Sequence, residues 1–296
     1  MDEFLDEMTR PHFLGCDASY EEADTVIFGA PFDSTASFRP GTRFAPNALR
    51  ADSLIGFETY SPYLDRDMSE LKVCDLGDVF APLGNPQEML DILERRTTRI
   101  LADGKRPVMI GGEHLLTQGT VKAVLQKAPD LHIFHFDAHT DLRERFLGQE
   151  LSHANVIRKC QDMIGEDGRI HSFGIRSGGG DEFVYGRKHL DFHCFDVDAC
   201  PASVAALMKK QPDVPVYVTI DVDVLDPSVM PGTGTPEAGG VSFKELMEAL
   251  FSLAPLNIIA FDIMELSPPC DTSGISNAAT WKILREMLLL SDKSRR

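Results

Sequence analysis

No apolar stretch in the 296 residues approaches the roughly 20 that a helix needs to cross a bilayer, which excludes a helical membrane protein. The first ten residues carry Asp2, Glu3, Asp6 and Glu7 and lack the basic-then-apolar order of a secretory leader, so a cytoplasmic location is expected. The six cysteines include no CxxC pair, and their spacing offers no disulfide framework. Cys74 and Cys194 fall in apolar runs and read as small core residues. No repeat, low-complexity tract or Pro/Gly linker divides the chain, which predicts one domain over residues 1–296. Positive charge is also scarce. The net charge is −17, a surface that repels nucleic acid and anionic membranes and favours cationic small molecules.

Short apolar runs and amphipathic stretches alternate through the chain. Strands are predicted over 25–29, 72–76, 108–111, 132–136, 170–175, 192–195, 216–220 and 258–263. Helices are predicted over 86–102, 115–127, 154–163, 202–209, 243–251 and 278–289, with Ser242 and Glu245 as a capping pair. Strand and helix in regular alternation predict an α/β fold with a mostly parallel sheet. A three-layer sandwich and a closed barrel both fit that pattern.

Several predicted strands run straight into acids and histidines. One is followed by Asp137, Ala138, His139, Thr140 and Asp141, another by Asp221, Val222 and Asp223, and a third by Gly112, Glu113 and His114. Alternate residues of an extended segment project the same way, so DxHxD aims two carboxylates and an imidazole at one point. Four carboxylates brought together raise one another's pKa, and divalent cations resolve that conflict. Two ions would neutralise the four charges and leave a bridging hydroxide as nucleophile. An oxygen-rich donor set with a minority of imidazole suits Mn²⁺, and also Co²⁺, Ni²⁺ or Zn²⁺. An Asp at a strand end is often only a cap or turn residue. The combination of DxHxD, DxD and GGEH is far more specific than any one of them.

These segments resemble the ureohydrolase (arginase/agmatinase) family. The matching residues are Gly111–His114, Phe136–Asp141, Thr219–Pro227, Phe261–Glu265, Pro231–Pro236 with Gly239 and Gly240, Gly174–Gly178, and Arg39–Arg43 with Pro46 and Arg50. The resemblance covers nearly the whole chain and implies a three-layer α/β/α sandwich with an eight-stranded, mostly parallel sheet. It implies two Mn²⁺ ions, one on His114, Asp137, Asp141 and Asp221, the other on Asp137, His139, Asp221 and Asp223. It also implies a homotrimer or homohexamer. Glu265 resembles the carboxylate that grips a guanidinium, and His153 the proton-shuttling histidine. Glu113 and Thr219 stand where many relatives have aspartate and serine, positions beside the ligands rather than among them.

The implied reaction is hydrolysis of a guanidinium group to urea and an amine. The loop after DxHxD, residues 142–150, lacks the Asn- and Ser-bearing pattern of arginases and is similar to agmatinase loops. That implies agmatine as substrate and putrescine as product. Glu182 reads either as a group that meets the distal ammonium or as a solvated loop acid. Alternative substrates are an aminopropyl-agmatine conjugate, guanidinobutyrate or arginine, and formiminoglutamase activity is the rival chemistry. A non-catalytic metal-stabilised binding protein is the rival of a different class. Gly178, Gly179 and Gly180 suggest a mobile loop near the pocket mouth.

Overall fold

The computed structural model describes residues 12–292, so the acidic stretch 1–10 lies outside the described residues. In chain order its strands are β1 (Thr25–Ala30), β2 (Tyr60–Ser61), β3 (Arg66–Asp67), β4 (Val73–Asp78), β5 (Arg106–Gly111), β6 (His132–Phe136), β7 (Ile170–Ile175), β8 (Asp191–Cys194), β9 (Pro215–Asp221) and β10 (Asn257–Met264). Every residue of β1, β6 and β7 is buried, so these strands must be covered on both faces, as in a parallel sheet packed between helices. Eight strands form that sheet in the order β4-β1-β5-β10-β9-β6-β7-β8, and each neighbouring pair is parallel. The sheet is open at β4 and β8, which excludes the barrel.

Helices α1 (Ala45–Gly56), α2 (Pro86–Ala102), α3 (Thr117–Lys127), α4 (Val156–Ile164), α5 (Gly180–His189), α6 (Cys200–Lys210), α7 (Phe243–Ser252) and α8 (Ile275–Ser291) complete the three layers. Alternate strand residues feed opposite cores. Ile27, Val108, Phe134, Val218 and Ile263 pack with α1, α6, α7 and α8. Val26, Met109, Ile133 and Tyr217 face the side of α2, α3 and α4. The Ser242–Glu245 capping pair forms as expected: Glu245 N donates to Ser242 Oγ (3.3 Å) and Ser242 N to Glu245 Oε2 (2.7 Å). Among the described residues no helix is long and apolar enough to cross a membrane.

Three elements were not legible. Helix α1 buries Ala45, Pro46, Leu49, Arg50 and Ser53, a face whose polar members hide its periodicity. Arg50 is tolerated there because Asp75 and Asp78 both pair with its guanidinium. The glycine run is not a loop throughout, since Gly180 opens α5. That helix starts there because Glu182 Oε1 accepts from Gly179 N (2.8 Å), and Asp181 and Glu182 suit a helix N-terminus. The hairpin β2–β3 has only two residues per strand, too few for a pattern. Cys74 is buried as expected, but Cys194 is only half-buried because it closes the edge strand β8.

Under α6 the sheet carries a row of imidazoles. His132 Nδ1 lies 3.1 Å from His171 Nε2, and His171 Nδ1 lies 2.8 Å from Asp191 Oδ2. Burial, with the neighbouring His171 and Arg169, pulls His132 down to about 4. The unfolded chain holds this proton at about 6.5, so between the two values it binds more protons than the folded one. The corresponding stability is present above pH 6.5 and drains as pH falls towards 4, on the order of 2 kcal/mol. Urea titrations across that window are expected to show a shallower acid slope for His132→Gln. An unchanged slope would assign the acid sensitivity elsewhere.

Candidate active site

The four central strands, β5, β10, β9 and β6, all end at the same edge of the sheet, and each delivers polar residues there. After β5 the chain passes Gly112, where a Cβ would sit 2.0 Å from Phe32 O, so only glycine permits that approach. His114 follows and opens a single tight turn. Beyond β6 come Asp137, His139 and Asp141; Asp221 ends β9, with Asp223 in the next turn; Glu265 follows β10. Asp141 and Glu265 have φ of 51° and 65°, left-handed conformations uncommon for such residues and costing about 1 kcal/mol or more each.

All six expected ligands converge. His114 Nδ1 lies 3.0 Å from Asp137 Oδ2, 3.3 Å from Asp221 Oδ2 and 3.4 Å from Asp141 Oδ2. His139 Nδ1 lies 3.0 Å from Asp223 Oδ2 and 3.5 Å from Asp137 Oδ1. Asp137 therefore turns one oxygen to each imidazole. His114 Nδ1 and Asp223 Oδ2 are buried with no hydrogen-bond partner among the described residues.

The electrostatics are those of crowded anions. Burial and Asp137 push the Asp141 carboxyl up to about 7, and burial with Asp223 and Asp137 drives Asp221 well above its ordinary value. Burial also opposes ionisation of Asp137, but the adjacent imidazoles of His114, His135 and His139 outweigh it and hold Asp137 well below the usual range. A donor set of four carboxylates and two imidazoles, with two orphaned buried donor atoms, fits divalent cations.

His114, His139, Asp141 and Asp221 form the floor of a cavity of about 280 Å³ whose walls include Glu265, His153, Phe146, Arg143, Glu182 and Ser37. Glu265 Oε1 accepts from His114 N (2.7 Å), and burial lifts its carboxyl to about 8. His153 opens a turn capped by Ser152, and its Nε2 lies 3.2 Å from Ser37 Oγ. Burial, with the nearby His139 and His114, holds its imidazole down to about 4, so the ring is neutral at neutral pH.

Glu182 reaches the cavity wall but is already engaged. Its oxygens accept from Thr140 Oγ1, Leu142 N (3.3 Å) and Gly179 N (2.8 Å), and Arg143 Nε lies 3.3 Å from Oε1. It braces the DxHxD loop against α5 and shares its charge with Arg143.

Other contributors were given no role from the sequence, although Glu113 was placed beside the ligands and Arg176 falls in a matching motif. His135 Nε2 lies 2.9 Å from Asp137 Oδ2, and the signal was there, because residues 135, 137 and 139 share one alternation. Glu113 Oε2 accepts from Thr35 N (2.8 Å), and Thr35 Oγ1 accepts from His153 N (3.1 Å), a brace between segments remote in sequence. Arg176 donates to the carbonyls of Asp223 (2.7 Å) and Val224 (3.1 Å), fixing the turn that carries Asp223.

A family model described as the Arginase family matches residues 23–290. The chain belongs to the arginase family. Among its arginase-family relatives is an agmatinase of Bacillus anthracis, 45% identical over 94% of this chain and 95% of that protein. A guanidinobutyrase of Pseudomonas aeruginosa is 32% identical over 95% of this chain and 90% of its own length. Among solved structures, the agmatine ureohydrolase of Thermoplasma volcanium superposes with a TM-score of 0.89, at 30% identity, covering 98% of this chain and 97% of that one. The open parallel sheet with helices on both faces is the arginase fold.

Proposed function

We propose that this chain, as one catalytic unit over residues 1–296, hydrolyses the guanidinium group of agmatine to urea and putrescine. It is a hydrolase of guanidino carbon–nitrogen bonds. The observation that carries the reading is the convergence of His114, Asp137, His139, Asp141, Asp221 and Asp223 beneath a cavity walled by Glu265. One Mn²⁺ is assigned to His114, Asp137, Asp141 and Asp221, and a second to Asp137, His139, Asp221 and Asp223. When bound, the pair supplies charge neutralisation and a water activated near neutral pH.

The protein's own groups do the rest. Glu265, tied to His114 N, offers a planar carboxylate to a planar guanidinium and turns the guanidinium carbon towards the cavity floor. Beside that cation the carboxylate is favoured in its ionised form. His153, neutral and beside Ser37, takes up at Nε2 a proton released by the attacking water and passes it to the departing amine. The −17 charge draws a dicationic substrate. A cytoplasmic homotrimer or homohexamer completes the proposal, supported by its resemblance to the family.

Arg143 at the cavity wall favours one second reading, a guanidino acid whose carboxylate would pair with that cation. A urea-release assay of Mn²⁺-loaded protein on agmatine, guanidinobutyrate, arginine and an aminopropyl-agmatine decides. Agmatine is expected to give the highest kcat/KM. A preference for guanidinobutyrate establishes the second reading, and no turnover of any guanidine removes both. Formamide release from a formimino substrate would point to formiminoglutamase chemistry.

A further inference from the structure

Behind the metal ligands lies a buried polar chain that the proposed chemistry does not use. Asp262 sits in β10 and is fully buried. Its Oδ2 accepts from Tyr217 OH (2.5 Å) and from Thr117 Oγ1 (2.8 Å). Thr117 Oγ1 lies 3.5 Å from Thr219 Oγ1, and Thr219 Oγ1 lies 2.8 Å from His114 Nε2. These hydroxyls are themselves buried, so water does not compete for their protons.

We propose that Asp262 is a positioning residue that acts through Thr117 and Thr219 to hold the proton of His114 on Nε2, leaving Nδ1 as a lone-pair donor. The inference rests on His114 being a metal ligand. With Asp262 ionised, its carboxylate only accepts, and Thr117 spends its single proton on it. Its oxygen can then only accept from Thr219. Thr219, having given its proton to Thr117, can only accept from His114 Nε2–H. The nitrogen left without a proton is Nδ1, the one that faces Asp137, Asp141 and Asp221. Which imidazole nitrogen binds a metal is set by what the other one donates to. An amide in place of Asp262 would reverse the order: it can donate to Thr117, Thr117 to Thr219, and Thr219 to Nε2, which moves the imidazole proton to the metal-facing side.

The test is a Mn²⁺ binding isotherm, read by the electron paramagnetic resonance signal of free Mn²⁺, on the full chain and on three variants. Asp262→Asn is expected to bind one of its two ions about 10–100-fold more weakly and the other within about twofold, on the scale of changes to groups that orient a ligand. Thr117→Val, which breaks the chain but leaves the carboxylate on Tyr217, is expected to do the same and stands in if Asp262→Asn does not fold. Tyr217→Phe, which loosens Asp262 but leaves the Thr117–Thr219 link, is expected to keep both affinities. Melting of the metal-free proteins checks that the losses are not general loosening. Two ions held as tightly by Asp262→Asn and Thr117→Val as by the unsubstituted chain overturn the assignment. So does an equal weakening in Tyr217→Phe. An unsubstituted chain that takes up no Mn²⁺ overturns the metal reading itself, and this inference with it.

Discussion

Replacing Asp137 with alanine is expected to leave a folded protein that holds at most one Mn²⁺ and has lost at least about a thousandfold in kcat, several kcal/mol of charge stabilisation. Asp137 is the carboxylate that presents one oxygen to His114 and the other to His139, so its removal strips a donor from both halves of the cluster. It also leaves His135 Nε2 without the acceptor it has at 2.9 Å. The fold should survive because the strands that carry these residues are pinned by their apolar faces rather than by the acids. Metal analysis by mass spectrometry together with circular dichroism checks both parts. Two ions retained at full occupancy in Asp137→Ala would remove the ligand assignment.

The complementary result is expected for Glu265→Gln: both ions stay, while kcat/KM falls by about a hundred- to a thousandfold, the scale of leaving a desolvated charge without its partner. The amide keeps the shape of the side chain and can still accept from His114 N, so the loss isolates the negative charge. The same charge gives a pH dependence. With the carboxyl at about 8 before substrate binds, the ionised form that pairs with guanidinium gains population as pH rises. The rate on agmatine should therefore climb through neutrality towards mildly alkaline pH, and Glu265→Gln should lose that part of the slope. Rates unchanged by the substitution would take Glu265 out of the mechanism.

The eight sheet strands were readable because each is a short apolar run closed by a turn or an acid, and the six acids and histidines that converge were readable because they fall directly after such runs. Helix α1 was not readable, since its buried face depends on Arg50 being paired by Asp75 and Asp78 from another part of the chain. Strand order was equally out of reach, because nothing local in β9 or β10 says that they insert between β5 and β6. The same holds for Glu182. Its type and position suggest an open acceptor, but its hydrogen bonds to Thr140, Leu142 and Gly179 exist only once α5 has docked. His135 shows the opposite case, a residue whose spacing announced it and whose partner is in the same segment.

The hydrogen bond from His114 N to Glu265 spans 151 residues of chain. While the protein emerges from the ribosome, β5 and β6 are made long before the two strands that will separate them, and each waits with a bare edge of unpaired peptide groups. Any product that stops short of β10 therefore lacks not merely one wall of the cavity but the centre of the sheet. Metal uptake would then serve as a report on synthesis: only a chain that has closed its last gap can bind, and abortive fragments would go to aggregation or proteolysis rather than to a half-active enzyme.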